Sequence, residues 1–169
     1  MLYTATNTHS PYSIRYPRGA GAGTEWRERE FETIPTGKGR RLKTGEDLAI
    51  VTIGTAGNFA AEAIGRVEVE GKVSVAHYDL RFAKPLDEEL LREVGEKFDK
   101  VITVEDGALR GGVGEAVVKL LSDNGYKPTV RTLGIDDRFI EHGTPAQLYS
   151  LCGYDSDGIE RAIYEMIEK

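Results

Sequence analysis

The 169-residue sequence predicts an α/β domain, a three-layer α/β/α sandwich around a mostly parallel five-stranded sheet. Two observations carry this. Short apolar runs alternate with amphipathic stretches four times in succession from residue 48 onward, the order that builds a parallel sheet with right-handed crossovers. The first run, LAIVTI at 48–53, is apolar throughout, as expected of a strand covered on both faces.

Residues 1–6 read as a short helical piece, followed by a turn around Ser10 and Pro11 and an extended stretch from Tyr12 to Pro17. Residues 19–46 are rich in glycine, threonine and charge and read as a linker; within it KGRRLK at 38–43 suits an edge strand, where lysine and arginine discourage further pairing. Helical spacing follows the first core strand over 58–69, and VSVAHYD at 73–79 is the next strand. Pro85 is expected to open a helix with Asp87, Glu88 and Glu89 in its first turn, complementing the macrodipole. Its stripe is Leu86, Leu90, Leu91, Val94 and Phe98. KVITVE at 100–105 is the third core strand; a helix from Gly112 places Val113, Val117, Leu120 and Leu121 inward and stops at Asn124-Gly125. A strand at 128–134 and helices at 144–151 and 156–168 complete the pattern.

Composition narrows the function. Forty per cent of residues are hydrophobic and 30% charged, with a net charge of −6, which opposes general nucleic-acid binding. No apolar run reaches the roughly 20 residues of a membrane span, and the N-terminus lacks the basic and apolar regions of a signal peptide. The single cysteine, Cys152, permits no internal disulfide and suits the cytoplasm.

Most motifs read as structural. Gly111, Gly112 and Gly114 open a helix, whose free N–H groups could attract a phosphate, but the third glycine of a dinucleotide fingerprint would fall at Val117. Tight backbone packing is the preferred explanation. His9, His77 and His142 are scattered, without a carboxylate at metal-ligand spacing. Cys152 has no nucleophile signature. Of the carboxylates Asp79, Glu105, Asp106, Asp136, Asp137 and Glu141, several follow strand C-termini, where open α/β sheets present ligands, though solvated loop carboxylates are commoner. Arg15 and Arg18 flank Tyr16-Pro17 ahead of a glycine-rich run. Pro17 restricts the backbone and the guanidinium fork suits phosphate, yet these residues alone do not separate an anion site from a surface ion pair.

Several segments, taken in order, resemble one family: MLYT at 1–4 with IRYPRG at 14–19, DLRFAKPLD at 79–87, VEDGALRGGVG at 104–114, and GIDDRFIEHG at 134–143. They are similar to the C-terminal part of the 1-deoxy-D-xylulose-5-phosphate synthases, thiamine-diphosphate enzymes of the transketolase superfamily. More loosely, they are similar to transketolases and 2-oxo-acid dehydrogenase β subunits. The resemblance covers nearly the whole chain; the departures are Asp136, where the family commonly has proline, and Tyr154, where leucine is usual. It implies that residues 1–19 are the tail of a pyrimidine-binding domain, 20–46 a linker with an edge strand, and 47–169 a transketolase C-terminal domain. It further implies that Arg18, and less strongly Arg15, helps to bind a substrate phosphate. No other catalytic, cofactor or metal residue carries over, because the family's diphosphate- and magnesium-binding G-D-G segment and its catalytic glutamate and histidines are not in this sequence. Thiamine diphosphate and magnesium are therefore expected in the full-length parent and not in this chain alone, which should make no product. A homodimer, small-molecule substrates and the remaining domains of the synthase are the implied partners. Two rival readings stand beside it: the C-terminal domain of a 2-oxo-acid dehydrogenase β subunit or a transketolase, and a free-standing, non-catalytic dimerisation or ligand-sensing module.

Overall fold

The computed structural model describes residues 1–17, 28, 30–69, 71 and 73–168. Among them the elements run α1 (Leu2–Thr6), β1 (Arg40–Lys43), β2 (Leu48–Ile53), α2 (Ala56–Val69), β3 (Val75–Asp79), α3 (Glu88–Lys97), β4 (Lys100–Ala108), α4 (Val113–Asp123), β5 (Thr129–Ile135), α5 (Pro145–Cys152) and α6 (Ser156–Ile167). The five strands form one sheet in the order β1-β3-β2-β4-β5, with β1 antiparallel and every other pairing parallel. The predicted α/β architecture and its mostly parallel sheet are what the chain adopts.

Strand alternation divides the core in two. Leu48 and Ile50 of β2, Val75 of β3 and Ile102 and Val104 of β4 pack beneath α2 and α6. Ala49, Val51, Ala76, Tyr78 and Val101 face the other way, against Leu91 and Val94 of α3 and Val117 and Leu121 of α4. Five of the six residues of β2 are buried, as its unbroken apolar run requires. β1 is held differently. Its residues are largely exposed, and ion pairs fasten it: Arg40 to Asp79 at 3.0 Å, Arg41 to Glu93 at 2.7 Å and Lys43 to Glu68 at 2.6 Å.

Most boundaries shift by one or two residues from expectation, and two shift by three. α3 begins at Glu88, not Pro85, because buried Asp87 is its N-cap and accepts the Leu90 N–H at 3.2 Å. The other Asp87 oxygen accepts the Gly39 N–H at 3.0 Å, so the same carboxylate starts the helix and seats the approach to β1. Pro85 lies before the cap, after a cis Lys84–Pro85 bond. β4 runs three residues past Glu105 to Ala108, which pairs with Ile135 beyond an irregularity after Val104. Asp106 and Gly107 look like a loop in sequence, but β5 supplies a partner strand that carries them on. α5 has a Thr144–Gln147 capping box and ends on left-handed Gly153, yet none of its residues is fully buried.

Candidate functional site at the C-terminal edge of the sheet

The order of the sheet reverses at β2, which lies between β3 and β4, so the crevice beyond β2 and β4 is where an α/β sheet ordinarily takes a ligand. Here that crevice is filled. Thr52, Ile53, Leu80, Thr103, Glu105 and Val113 close around a space too small for a water molecule. Glu105, only 6% exposed, turns toward α4 and accepts the Val113 N–H at 3.0 Å and the Gly114 N–H at 2.8 Å. The Gly111 N–H donates to Glu115 at 2.8 Å. The helix end that could have held a diphosphate is thus capped by the chain's own carboxylates.

The glycines make this cap possible. A Cβ on Gly112 would run into the Ala108 carbonyl oxygen and lie 2.5 Å from Glu105 Oε1; one on Gly114 would lie 2.7 Å from Thr103 Oγ1. Packing, the reading preferred from sequence for this run, is what the geometry supports. Glu105, the last residue of the predicted strand, differs from the solvated carboxylate expected of it: alternation aims it into the interior.

Asp106, its neighbour, points to the opposite face. Its Oδ1 accepts the phenol of Tyr154 at 2.8 Å, and Arg15 reaches it from the N-terminal segment, donating from Nη1 to the main-chain oxygen and holding Nη2 3.7 Å from Oδ2. Tyr154 is buried, and its ring packs 5.4 Å from that of Tyr149, which lies 5.2 Å from Phe59. Burial, reinforced by the Asp106 carboxylate, raises the Tyr154 pKa, so the phenol remains a donor at physiological pH. Sequence reading flagged Asp106 and Tyr154 separately and missed their contact. The one available signal was alternation, which sends Glu105 and Asp106 to different faces.

Arg18 lies outside the described residues. Arg15 is 75% exposed at its side chain and already paired. Of the remaining edge carboxylates, Asp79 pairs with Arg40 at 3.0 Å, Asp137 with Arg110 at 3.3 Å and Asp136 with Arg138 at 4.0 Å, and Glu141 is exposed. The histidines do not converge. His9 and His142 are exposed, while His77 is buried in β3 with Nε2 3.0 Å from Thr52 Oγ1. Thr52 donates its hydroxyl hydrogen to the Tyr78 carbonyl at 3.1 Å, which leaves its oxygen to accept from His77 Nε2–H. Burial pushes the His77 pKa down to about 4, outweighing the nearby Asp79 carboxylate. Burial likewise raises the pKa of the half-buried Cys152 thiol, which favours its protonated form. Among the described residues, no group of three or more His, Cys, Asp or Glu side chains could hold a metal ion.

The sheet domain has known counterparts. Residues 37–159 match the family described as transketolase, C-terminal domain, a span that includes β1. The chain belongs to the transketolase C-terminal domain family. Within that family it is 54% identical over 164 residues to the 1-deoxy-D-xylulose-5-phosphate synthase of Bacteroides fragilis, covering 96% of this chain and 25% of that protein. It is 38% identical over 169 residues to the Vibrio parahaemolyticus synthase, covering 100% of this chain and 26% of that protein. The chain thus spans about a quarter of the length of the curated relatives it matches. A solved split-gene transketolase, described as an inactive beta4 tetramer, superposes with a TM-score of 0.74 at 32% identity, covering 81% of this chain and 44% of that one. A Pichia stipitis transketolase shares the fold at a TM-score of 0.55, 19% identity, 79% of this chain and 18% of that one.

Among the described residues of this transketolase C-terminal domain, the helix end that might have met a diphosphate is capped by Glu105. No helix among them is long and apolar enough to cross a membrane.

Proposed function

We propose that this chain is the C-terminal part of a cytoplasmic 1-deoxy-D-xylulose-5-phosphate synthase. That enzyme joins pyruvate, after decarboxylation, to glyceraldehyde 3-phosphate in isoprenoid precursor synthesis. The observation that carries the reading is that the synthase matches extend over 96% or more of the chain, including the N-terminal segment that precedes the family domain at residue 37. In this reading residues 1–19 end the pyrimidine-binding domain, 20–46 link it onward, and 47–169 form the sheet domain. Thiamine diphosphate with magnesium supplies the carbanion chemistry and is held by the remainder of the protein, which works as a homodimer.

This chain's contribution is to bind and orient. The crevice between β2 and β4 is filled, so the sheet serves as a support, and Arg18 takes the phosphate of the aldehyde substrate. A guanidinium makes charge-assisted bonds worth about 1.5–3 kcal/mol each. In the full-length enzyme, Arg18→Ala should therefore raise KM for glyceraldehyde 3-phosphate roughly tenfold to a hundredfold and leave KM for pyruvate nearly unchanged. Equal effects on the two substrates would remove Arg18 from the phosphate site.

A further inference from the structure

We propose that the end of the sheet beside β1 and β3 is a docking face for the part of the parent polypeptide that precedes Met1, with Arg81 as its charged anchor and Leu2, Tyr3 and Phe31 as its apolar floor. The inference rests on the reading of this chain as one part of a longer synthase. Arg81 is the residue that points there. It follows β3 at φ 58°, in the left-handed region, and the Phe82 N–H donates across it to the Leu80 carbonyl. A three-residue turn of that hand is rare and strained, and glycine would hold it at less cost. The turn is nonetheless fixed. Leu80 and Phe82 are buried on either side, and Asp79 Oδ1 accepts the Arg81 N–H at 3.1 Å. An arginine in such a place is explained by what its side chain does.

That side chain makes no hydrogen bond or ion pair with another described residue. Asp79, which could neutralise it, already pairs with Arg40 at 3.0 Å, and Arg40 repels it. Two guanidiniums thus share one carboxylate, and the half-buried Arg81 has room for an anion of its own. The surroundings are apolar. Residues 34–39 lie along the loop after β3: a Cβ on Gly37 would stand 2.7 Å from Pro85 Cγ, and the Gly39 N–H bonds Asp87. The same segment holds α1, through the Ile34 N–H donating to buried Thr4 at 2.9 Å. Beyond it Leu2 is 72% exposed, and the Tyr3 ring stacks 5.8 Å from that of Phe31, which is 71% exposed. Aromatic and aliphatic side chains beside an arginine are the composition of a protein interface core, and a small anion would cover none of them. The chain covers 25% of the Bacteroides fragilis synthase and 26% of the Vibrio parahaemolyticus one, so most of such a polypeptide lies outside residues 1–169. In a parent of that length the preceding polypeptide joins at α1, on this face. The occupant is therefore the preceding domain, which brings an aspartate or glutamate to Arg81.

The test uses the full-length protein carrying this chain. Hydroxyl-radical oxidation, normalised to intrinsic reactivity, should be about tenfold slower at Leu2, Tyr3 and Phe31 than at Val69, which is 89% exposed at the far end of α2. Rates that follow the exposures of the separate domain would overturn the docking face. Arg81→Gly removes the side chain and relaxes the turn, so the domain keeps its fold while Tyr3 and Phe31 should oxidise about three- to tenfold faster. Unchanged protection would overturn Arg81 as the anchor. Arg81→Lys treated with a carbodiimide should join position 81, as an amide formed with loss of water, to an Asp or Glu upstream of Met1 in the same polypeptide. Cross-links confined to carboxylates within residues 1–169, of the same or a second copy, would overturn the occupant. Product formation from pyruvate and glyceraldehyde 3-phosphate is scored separately. A protein that makes no product yet shows the protected, cross-linked face loses the synthase reading and keeps this one; product with a reactive face does the reverse.

Discussion

Glu105 and Asp106 are consecutive residues of one strand, yet they serve opposite sides of the sheet and opposite purposes. Glu105 turns inward, takes two backbone N–H groups of α4 and shuts the crevice at the point where the strand order reverses. Asp106 turns toward α5 and α6, where Tyr154 holds it and Arg15 arrives from the other end of the chain. The first carboxylate completes the domain; the second connects the domain to what precedes it.

Removing the closed side should be the most damaging change. Glu105→Ala strips a buried cap of two charge-assisted bonds and should cost about 2–4 kcal/mol, read from the urea midpoint of the 169-residue chain. A loss comparable to that of an exposed carboxylate would mean that α4 starts without it.

The interior beside the crevice should show itself in acid. His77 titrates near 6.5 when unfolded and near 4 when folded, so both states are neutral above pH 6.5 and stability there is complete. As pH falls from 6.5 toward 4, the unfolded chain takes the proton first and stability drops, by about 3 kcal/mol over the whole window. Urea midpoints at pH 7 and pH 4.5 should differ less in His77→Gln than in the wild type; identical differences would rule out His77 as a source of acid sensitivity.

Gly112→Ala tests the same closure sterically. Its new methyl meets the Ala108 carbonyl, backbone that cannot swing aside, and should cost about 1–3 kcal/mol. Gly111, left-handed with φ 70° and with nothing near its Cβ position, should cost about 1 kcal/mol when changed to alanine, through its backbone alone. The ranking of the two midpoints separates close packing from conformational strain.

The smallest stability change is expected on the open side. Asp106→Asn should alter the urea midpoint by less than about 1 kcal/mol, since its ion pair is exposed and an amide oxygen can still accept from Tyr154. A large loss there would erase the contrast between the two neighbours and make Asp106 a core residue as well.

Much of this fold was legible one residue at a time. Leu48–Ile53 announces itself because a strand covered on both faces needs no polar residue, and the Asn124-Gly125 stop needs only local backbone geometry, with Gly125 at φ 83°. The family was legible too, because short segments in fixed order carry it without reference to contacts. Tertiary structure decided what depends on partners distant in sequence. Sequence cannot show that β4 continues to Ala108, because the continuation depends on β5, nor that Asp87 displaces Pro85 as the start of α3 while also bonding Gly39. It cannot tell whether Glu105 is solvated or buried, because that is settled by where α4 lands. The meeting of Arg15, Asp106 and Tyr154 unites residues 91 and 48 positions apart, a distance over which pattern and propensity carry no information and only the packed chain does.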